Sequence, residues 1–317
     1  MNNLTTDLKA LHEETLNNLK TSKAKNTLRA YKSDFRDFGS FCVKHGLKSL
    51  PSEPETISLY LTYLSKYFKI STLKRRLVSI GVVHKMKGHY LDTKHPIIIE
   101  NLMSIKRVKG SIQKGKKPIL INNLKQIINV INELKINEIV KQRNKALILT
   151  GFGGGFRRSE LISINYDDLE FVEEGLKIFV KNSKTDQYGE GMIKGIPYFN
   201  TATYCPVINL KNWLEISKIK CGPIFRRFNK GSTLTDHRLT DQSVALIIKE
   251  CLKLSSIDNN NFSGHSLRSG FATVAADAGA DERSIMAMTG HKTNQMVRRY
   301  IREANIFKNN ALNKIKI

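Results

Sequence analysis

Apolar positions recur every three or four residues through most of the chain, and every second residue in one stretch only. Leu28, Tyr31, Phe35, Phe38 and Cys42 share one helix face, and Gly46 stands where that helix should stop. A second helix is predicted over 55–67, entered through Pro51 and Pro54. A third follows a candidate N-cap at Ser71 and ends near Gly88, and a shorter one covers 97–105. Residues 119–140 and 142–151 also read as helices. Within 167–199 the period changes. Leu176, Ile178 and Val180 alternate with polar residues, NSKTDQYGEG supplies turn residues, and MIKGIPYF resumes an extended pattern. This predicts a small antiparallel sheet with Lys184 near a hairpin tip. From Leu210 onward the pattern is helical again. The fold class is mainly α, with a small antiparallel β-sheet in the C-terminal domain.

The length of 317 residues suits two domains. A helical domain over 1–105 precedes 106–118, KRVKGSIQKGKKP, which reads as a basic linker because it is rich in Lys, Arg and Gly and lacks apolar periodicity. The second domain spans 119–303, and 304–317 carries an apolar stripe (Ile306, Phe307, Ala311, Leu312, Ile315) suited to a short C-terminal helix. Residues 110–117 resemble a phosphate-binding loop, but Lys117 stands where a metal-binding hydroxyl belongs and no strand precedes it, so that reading fails.

Charge narrows the function. The chain holds 52 Lys+Arg against 28 Asp+Glu, a formal net charge of +24. Residues 1–118 hold 23 of the basic residues but only 9 of the acidic ones. Such a surface calls for a polyanion, with nucleic acid first. A membrane is disfavoured, because no apolar run reaches the ~18 residues that a spanning helix needs. The first residues, MNNLTTDLKALHEETL, lack the apolar core of a signal peptide. Cys42, Cys205, Cys221 and Cys251 form no CxxC pair and read as free thiols in a reducing compartment. The expected location is cytoplasmic, in association with the nucleoid.

Several polar residues of the second domain stand in contexts that packing does not explain. GFRRSEL offers Arg157 and Glu160 at a helix start, the hairpin offers Lys184, GHSLR places His265 and Arg268 on one helix face, and GHKTNQMVRRYI offers His291 and, nine residues on, Tyr300. Arginines, a lysine, histidines and a tyrosine without a carboxylate cluster point to phosphodiester chemistry without a metal. Arginines neutralise charge that builds on phosphate oxygens, a tyrosine attacks as nucleophile, and a lysine or histidine protonates the departing oxygen. Two registers stay open: Arg158 adjoins Arg157, and Lys181 and Lys194 flank the same hairpin as Lys184.

In their order and spacing these motifs resemble the tyrosine recombinases of the phage integrase family, in the compact two-domain layout of Cre and the bacterial Xer recombinases. Family members carry an Arg in a G-[LF]-R-x-[SG]-E-L segment, a hairpin Lys, an HxxR pair, a GH or GW segment and a Tyr nine residues beyond. Here those are Arg157, Lys184, His265 with Arg268, His291 and Tyr300, with Glu160 as a supporting residue. The resemblance implies a two-domain clamp on double-stranded DNA, with Tyr300 forming a 3′-phosphotyrosine and neither metal nor cofactor required. It implies a site of two inverted-repeat half-sites, since no arm-type domain is expected before residue 22. A homotetramer on two duplexes is also implied, with 304–317 docking on a neighbouring protomer. Candidate DNA contacts are Lys74, Arg75 and Arg76 on the third helix, whose other side offers Leu73, Leu77 and Ile80 to a core, and Lys106, Arg107 and Lys109 in the linker. The rival readings are a type IB topoisomerase and a catalytically silent DNA-binding protein.

Overall fold

In the computed structural model the chain divides into two units, Met1–Lys114 and Gly115–Ile317. The structure describes residues 25–110, 115–181 and 191–304, with isolated positions nearer the two ends. Among these residues helices dominate, and the strands form two small antiparallel sheets. The fold is therefore mainly α with a small β component.

The first unit is built from α1 (Lys25–Lys44), α2 (Pro54–Ser65), α3 (Ile70–Met86) and α4 (Pro96–Lys109). Its core unites the predicted stripe, Phe38 and Cys42, with Ile57, Tyr60 and Leu61 of α2, Leu73 and Ile80 of α3, and Ile98 and Leu102 of α4. Each fully buried side chain of this size contributes about 1.5–3 kcal/mol. Gly46, at φ +64°, turns the chain after α1 in a conformation that a side chain would strain.

Two boundaries differ from expectation. Helix α3 begins at Ile70, with Lys69 rather than Ser71 preceding it, because Ile70 itself is buried and joins the core. Helix α4 runs on to Lys109, so Lys106, Arg107 and Lys109 lie on its last turn rather than in a linker. Cations there complement the negative end of the helix dipole, and Gly110 (φ +71°) ends it.

The second unit opens with α5 (Ile121–Glu133) and α6 (Glu138–Gly153). The break falls at 134–137 rather than near 141, because the Asn137 side chain accepts from Ile139 N at 3.1 Å and caps α6. After α7 (Arg158–Ser163) come β1 (Leu169–Val172), β2 (Gly175–Val180) and β3 (Met192–Pro197), an antiparallel meander. Helix α8 (Pro206–Ser217) follows, then β4 (Arg226–Phe228) and β5 (Leu234–Arg238). This second hairpin interrupts the region expected to be wholly helical. Asn229 N donates to Thr233 O and Gly231 takes φ +93°, so NKGS supplies the turn.

Helices α9 (Asp241–Leu254), α10 (Ser266–Asp277), α11 (Glu282–Thr289) and α12 (Asn294–Ala304) complete the unit. Its main core joins Ile127, Leu147, Ile178, Ile196, Trp213 and Ile248. Trp213 is wholly buried and its indole N–H donates to Ile224 O at 2.8 Å, so the ring is buried without an unpaired donor. A smaller cluster of Ala272, Ala276, Ile285, Val297 and Tyr300 packs α12 against α10 and α11. Cys42, Cys205 and Cys251 are buried, Cys221 is exposed, and all four are free thiols.

Candidate active site

The second unit gathers its polar motifs where α6 gives way to α7. Gly155 adopts φ +54°, and a Cβ there would lie 3.0 Å from the Phe271 ring. The glycine run thus lets the chain reverse tightly against α10 and deliver Arg157 to the start of α7. Glu160, in the first turn of α7, accepts from Arg157 N at 3.0 Å and from the Arg157 guanidinium. This carboxylate is 1% exposed. Burial alone would raise its pKa, but the Arg157 hydrogen bonds, helped by the Lys194 and Arg157 charges, hold it below the usual value.

Among the described residues, three cations stand around Glu160. Arg157 Nη2 donates to Gly290 O at 3.2 Å, which ties the start of α7 to the segment holding His291. Arg268, on α10, is 1% exposed and donates through Nη1 to Gly155 O at 3.0 Å, with Glu160 Oε2 4.0 Å away. Among the described residues, its Nε and Nη2 are buried without a hydrogen-bond partner. Burial, then the neighbouring Arg157, pushes its pKa down to about 10. Lys194 projects inward from β3, donates to Gly154 O at 2.8 Å and lies 4.2 Å from the Phe156 ring centre.

His265, at the N-cap of α10, is open to solvent at the mouth of this cluster. Partial desolvation, then Arg268, Arg157 and Arg158, lowers its pKa and favours the neutral ring. His291 is half-buried, and its Nδ1 lies 2.8 Å from Thr289 Oγ1. Burial, followed by the Arg268 and Arg157 charges, pushes its pKa down to about 4. Tyr300, on α12, is 8% exposed, and its ring centre lies 6.3 Å from that of His291. The arrangement can hold an anion between guanidinium groups, with a phenol and two neutral imidazoles beside it.

The structure thus brings Arg157, Glu160, His265, Arg268, His291 and Tyr300 into one cluster. Arg158 stands at the edge of the cluster, its guanidinium 3.8 Å from Asp241 and its charge still bearing on His265. Lys184 lies outside the described residues, as does most of the expected C-terminal helix 304–317. Of the other hairpin lysines, Lys181 pairs with Asp168 at 2.6 Å, whereas Lys194 is sealed beneath the arginines. Thr289 escaped sequence reasoning, since only its hydroxyl's place under His291 marks it out.

The expected DNA contacts of the first unit are placed unequally. Lys74, Lys106, Arg107 and Lys109 are exposed. Arg75 is exposed but paired with Asp34. Arg76 does not share that outer face. It is buried, ion-paired with Asp37, hydrogen-bonded to the Tyr60 hydroxyl and stacked 4.8 Å from the Phe68 ring centre. Position 76 lies three residues after Leu73, on the same inward stripe as Leu77 and Ile80.

Comparison with known proteins agrees with this architecture. The model of the phage integrase family matches residues 119–305. An integrase/recombinase XerD homolog of Selenomonas ruminantium is 43% identical over 300 residues, covering 94% of this chain and 87% of that protein. Among solved structures, the Tn1549 transposon integrase in complex with transposon right end DNA aligns with a TM-score of 0.61 at 14% identity, covering 90% of this chain and 92% of that one. The XerH site-specific recombinase bound to palindromic difH substrate aligns with a TM-score of 0.58 at 16% identity, covering 83% and 71%. At those identities the two structures bear on the fold alone. The family match spans more than half of the sequence and the homolog nearly all of it, so the chain belongs to the phage integrase family of tyrosine recombinases.

Proposed function

We propose that this protein is a site-specific recombinase that cuts and rejoins double-stranded DNA through a 3′-phosphotyrosine. The observation that carries the reading is Arg268, whose Nε and Nη2 are buried donors without an acceptor among the described residues, beside Arg157, two histidines and Tyr300. Buried unpaired donors are costly, and a phosphate has the shape and charge to satisfy a guanidinium edge.

In this reading Arg157 and Arg268 grip the non-bridging oxygens of the scissile phosphate, and His291 lies against the same group. The Tyr300 hydroxyl attacks phosphorus as neutral His265 takes its proton. The bond from phosphorus to the 5′ oxygen breaks, and Lys184 protonates that leaving oxygen. Attack by a 5′ hydroxyl from a partner strand reverses each step. The ester conserves the bond energy, so the residues named need no ATP and no metal. Glu160 supports the arginines from beneath.

The exposed cations Lys74, Lys106, Arg107 and Lys109 would hold the phosphate backbone. A homotetramer on two duplexes with inverted half-sites, in the cytoplasm at the nucleoid, is the assembly that suits this chemistry. The homolog that is 43% identical is named an integrase/recombinase, which supports DNA as the substrate here.

The test is trapping of a covalent protein–DNA adduct on a nicked substrate. Tyr300→Phe should abolish adduct while leaving DNA binding nearly intact, because only the hydroxyl is lost. Adduct that persists in this variant would move the nucleophile to another tyrosine, with Tyr188, Tyr198 and Tyr204 next in turn.

A further inference from the structure

Thr289 closes α11, is wholly buried, and does not belong to the set of residues given roles above. Its hydroxyl oxygen lies 2.6 Å from Ile285 O and 2.8 Å from His291 Nδ1. A threonine hydroxyl carries one proton and two lone pairs. Ile285 O can only accept, so that proton must lie on the 2.6 Å line; otherwise two oxygen lone pairs would face each other at that distance. Thr289 Oγ1 is then an acceptor towards His291, and Nδ1 must hold a hydrogen. A neutral imidazole has one N–H, so its Nε2 is left with a lone pair.

We propose that Thr289 is a positioning residue that holds His291 in the Nδ1–H tautomer, so that the neutral ring offers an acceptor, not a donor, at Nε2. The proposal deepens the recombinase reading and rests on it for its consequence. A phosphate oxygen meeting a lone pair at Nε2 is repelled. His291 can donate to it only after taking up a second proton, with Nδ1–H still on Thr289.

The charged and titratable groups that bear on the ring, among the described residues, set when this happens. Arg157 reaches Gly290 O from the start of α7, Arg268 and His265 come from α10, Tyr300 comes from α12, and Glu160 is the one anion. The excess of cations keeps the free ring neutral. An incoming phosphate reverses that balance and couples binding to proton uptake.

The decisive measurement is a long-range proton–nitrogen NMR spectrum of the free full-length protein labelled with ¹⁵N-histidine. His291 is assigned by loss of its signals in His291→Gln. Near neutral pH, Nδ1 should appear pyrrole-like and Nε2 pyridine-like. Thr289→Val, which keeps the shape without the hydroxyl, should shift the ring towards the Nε2–H tautomer that free histidine prefers. Thr289→Ser should restore the wild-type pattern. A pyrrole-like Nε2 in the wild type, or an unchanged pattern in a folded Val variant, overturns the proposal. Should the Val variant not fold, the wild-type and Ser spectra still decide. Since no DNA is present, this outcome is independent of whether Tyr300 forms an adduct.

Discussion

The Lys194 ammonium lies 3.9 Å from Glu160 Oε2, and neither side chain reaches solvent. Glu160 also touches Arg157 and lies 4.0 Å from Arg268, so among the described residues one carboxylate serves three cations. Like charges so close would repel strongly in a low-dielectric interior. Glu160 offsets part of that repulsion and leaves the cluster net positive. The two carbonyls of the glycine turn are used in the same way: Gly154 O accepts from Lys194 and Gly155 O from Arg268. The turn, the carboxylate and the buried lysine together form the floor on which the arginines rest.

That floor should be pH-sensitive. Burial, only partly compensated by Glu160, pushes the Lys194 pKa from 10.5 down to about 7. Between those values the unfolded chain binds a proton that the folded one has lost, so the lysine's contribution to stability rises with pH through this window. Lys194→Met should remove that rise. Melting temperatures of wild type and variant, followed from pH 7 to pH 10, should diverge in favour of the wild type. The variant should also lose the Gly154 hydrogen bond, worth about 1–3 kcal/mol when a buried carbonyl is left unpaired. Parallel pH profiles for the two proteins would show that Lys194 titrates normally.

The arginines are separable by register. Arg157→Ala and Arg268→Ala should each slow adduct formation by about 10²-fold or more, as expected when a donor to the developing charge is removed. Arg158→Ala should slow cleavage much less than either, because its guanidinium lies beside Asp241 and bears on the site through its charge on His265. Single-turnover cleavage on one substrate compares all three. A large loss at Arg158 with little at Arg157 would reverse their roles.

What was legible in the sequence was local. GFRRSEL, HxxR and the nine-residue step from His291 to Tyr300 can be read as motifs because each is a short stretch at or just before a helix start. Depth was harder to read, since it depends on which face each element buries. Lys194 was one of three hairpin lysines until the sheet register fixed it. It pairs with Ile178 and shares the inner side of β3 with Ile196, both nearly inaccessible. Strand parity carried that signal, because positions 194 and 196 must face the same way. Arg76 departs from expectation for a parallel reason. Its place in a run of three cations suggested an outward face, while the Leu73, Leu77 and Ile80 stripe already pulled position 76 inward. The break at 134–137 and the β4–β5 hairpin turned on single capping and turn residues, which apolar periodicity does not report.

Lys184 can be tested through its leaving group. A substrate whose 5′ bridging oxygen is replaced by sulfur expels a thiolate, which leaves without a proton. Lys184→Ala should be severely slowed on the oxygen substrate and close to wild type on the sulfur one. Equal impairment on both would reassign Lys184 to positioning. Lys194→Met serves as the contrast: a lysine acting through Glu160 and the glycine turn should slow both substrates alike.

The last prediction sets two glycines against each other. Gly270 lies on α10, two residues beyond Arg268, where a Cβ would stand 2.1 Å from Ile119 O. That oxygen is backbone, and the same residue's N–H donates to Ser266 O at 2.9 Å, so the segment cannot slide away without breaking a hydrogen bond. Alanine would gain about 1 kcal/mol in helix propensity at an unobstructed site. Here overpacking, typically costing about 1–3 kcal/mol, outweighs that gain. Gly270→Ala should therefore lower the melting temperature. It should also slow cleavage, because α10 cannot move away from Ile119 without carrying Arg268 away from Gly155 O. Gly39, within α1, has nothing within 4 Å of its added Cβ. Gly39→Ala should raise the melting temperature or leave it unchanged, with cleavage intact. Thermal melts and adduct assays on the two variants read both effects, and equal behaviour at the two sites would mean that the Ile119 backbone can give way to a Cβ at position 270.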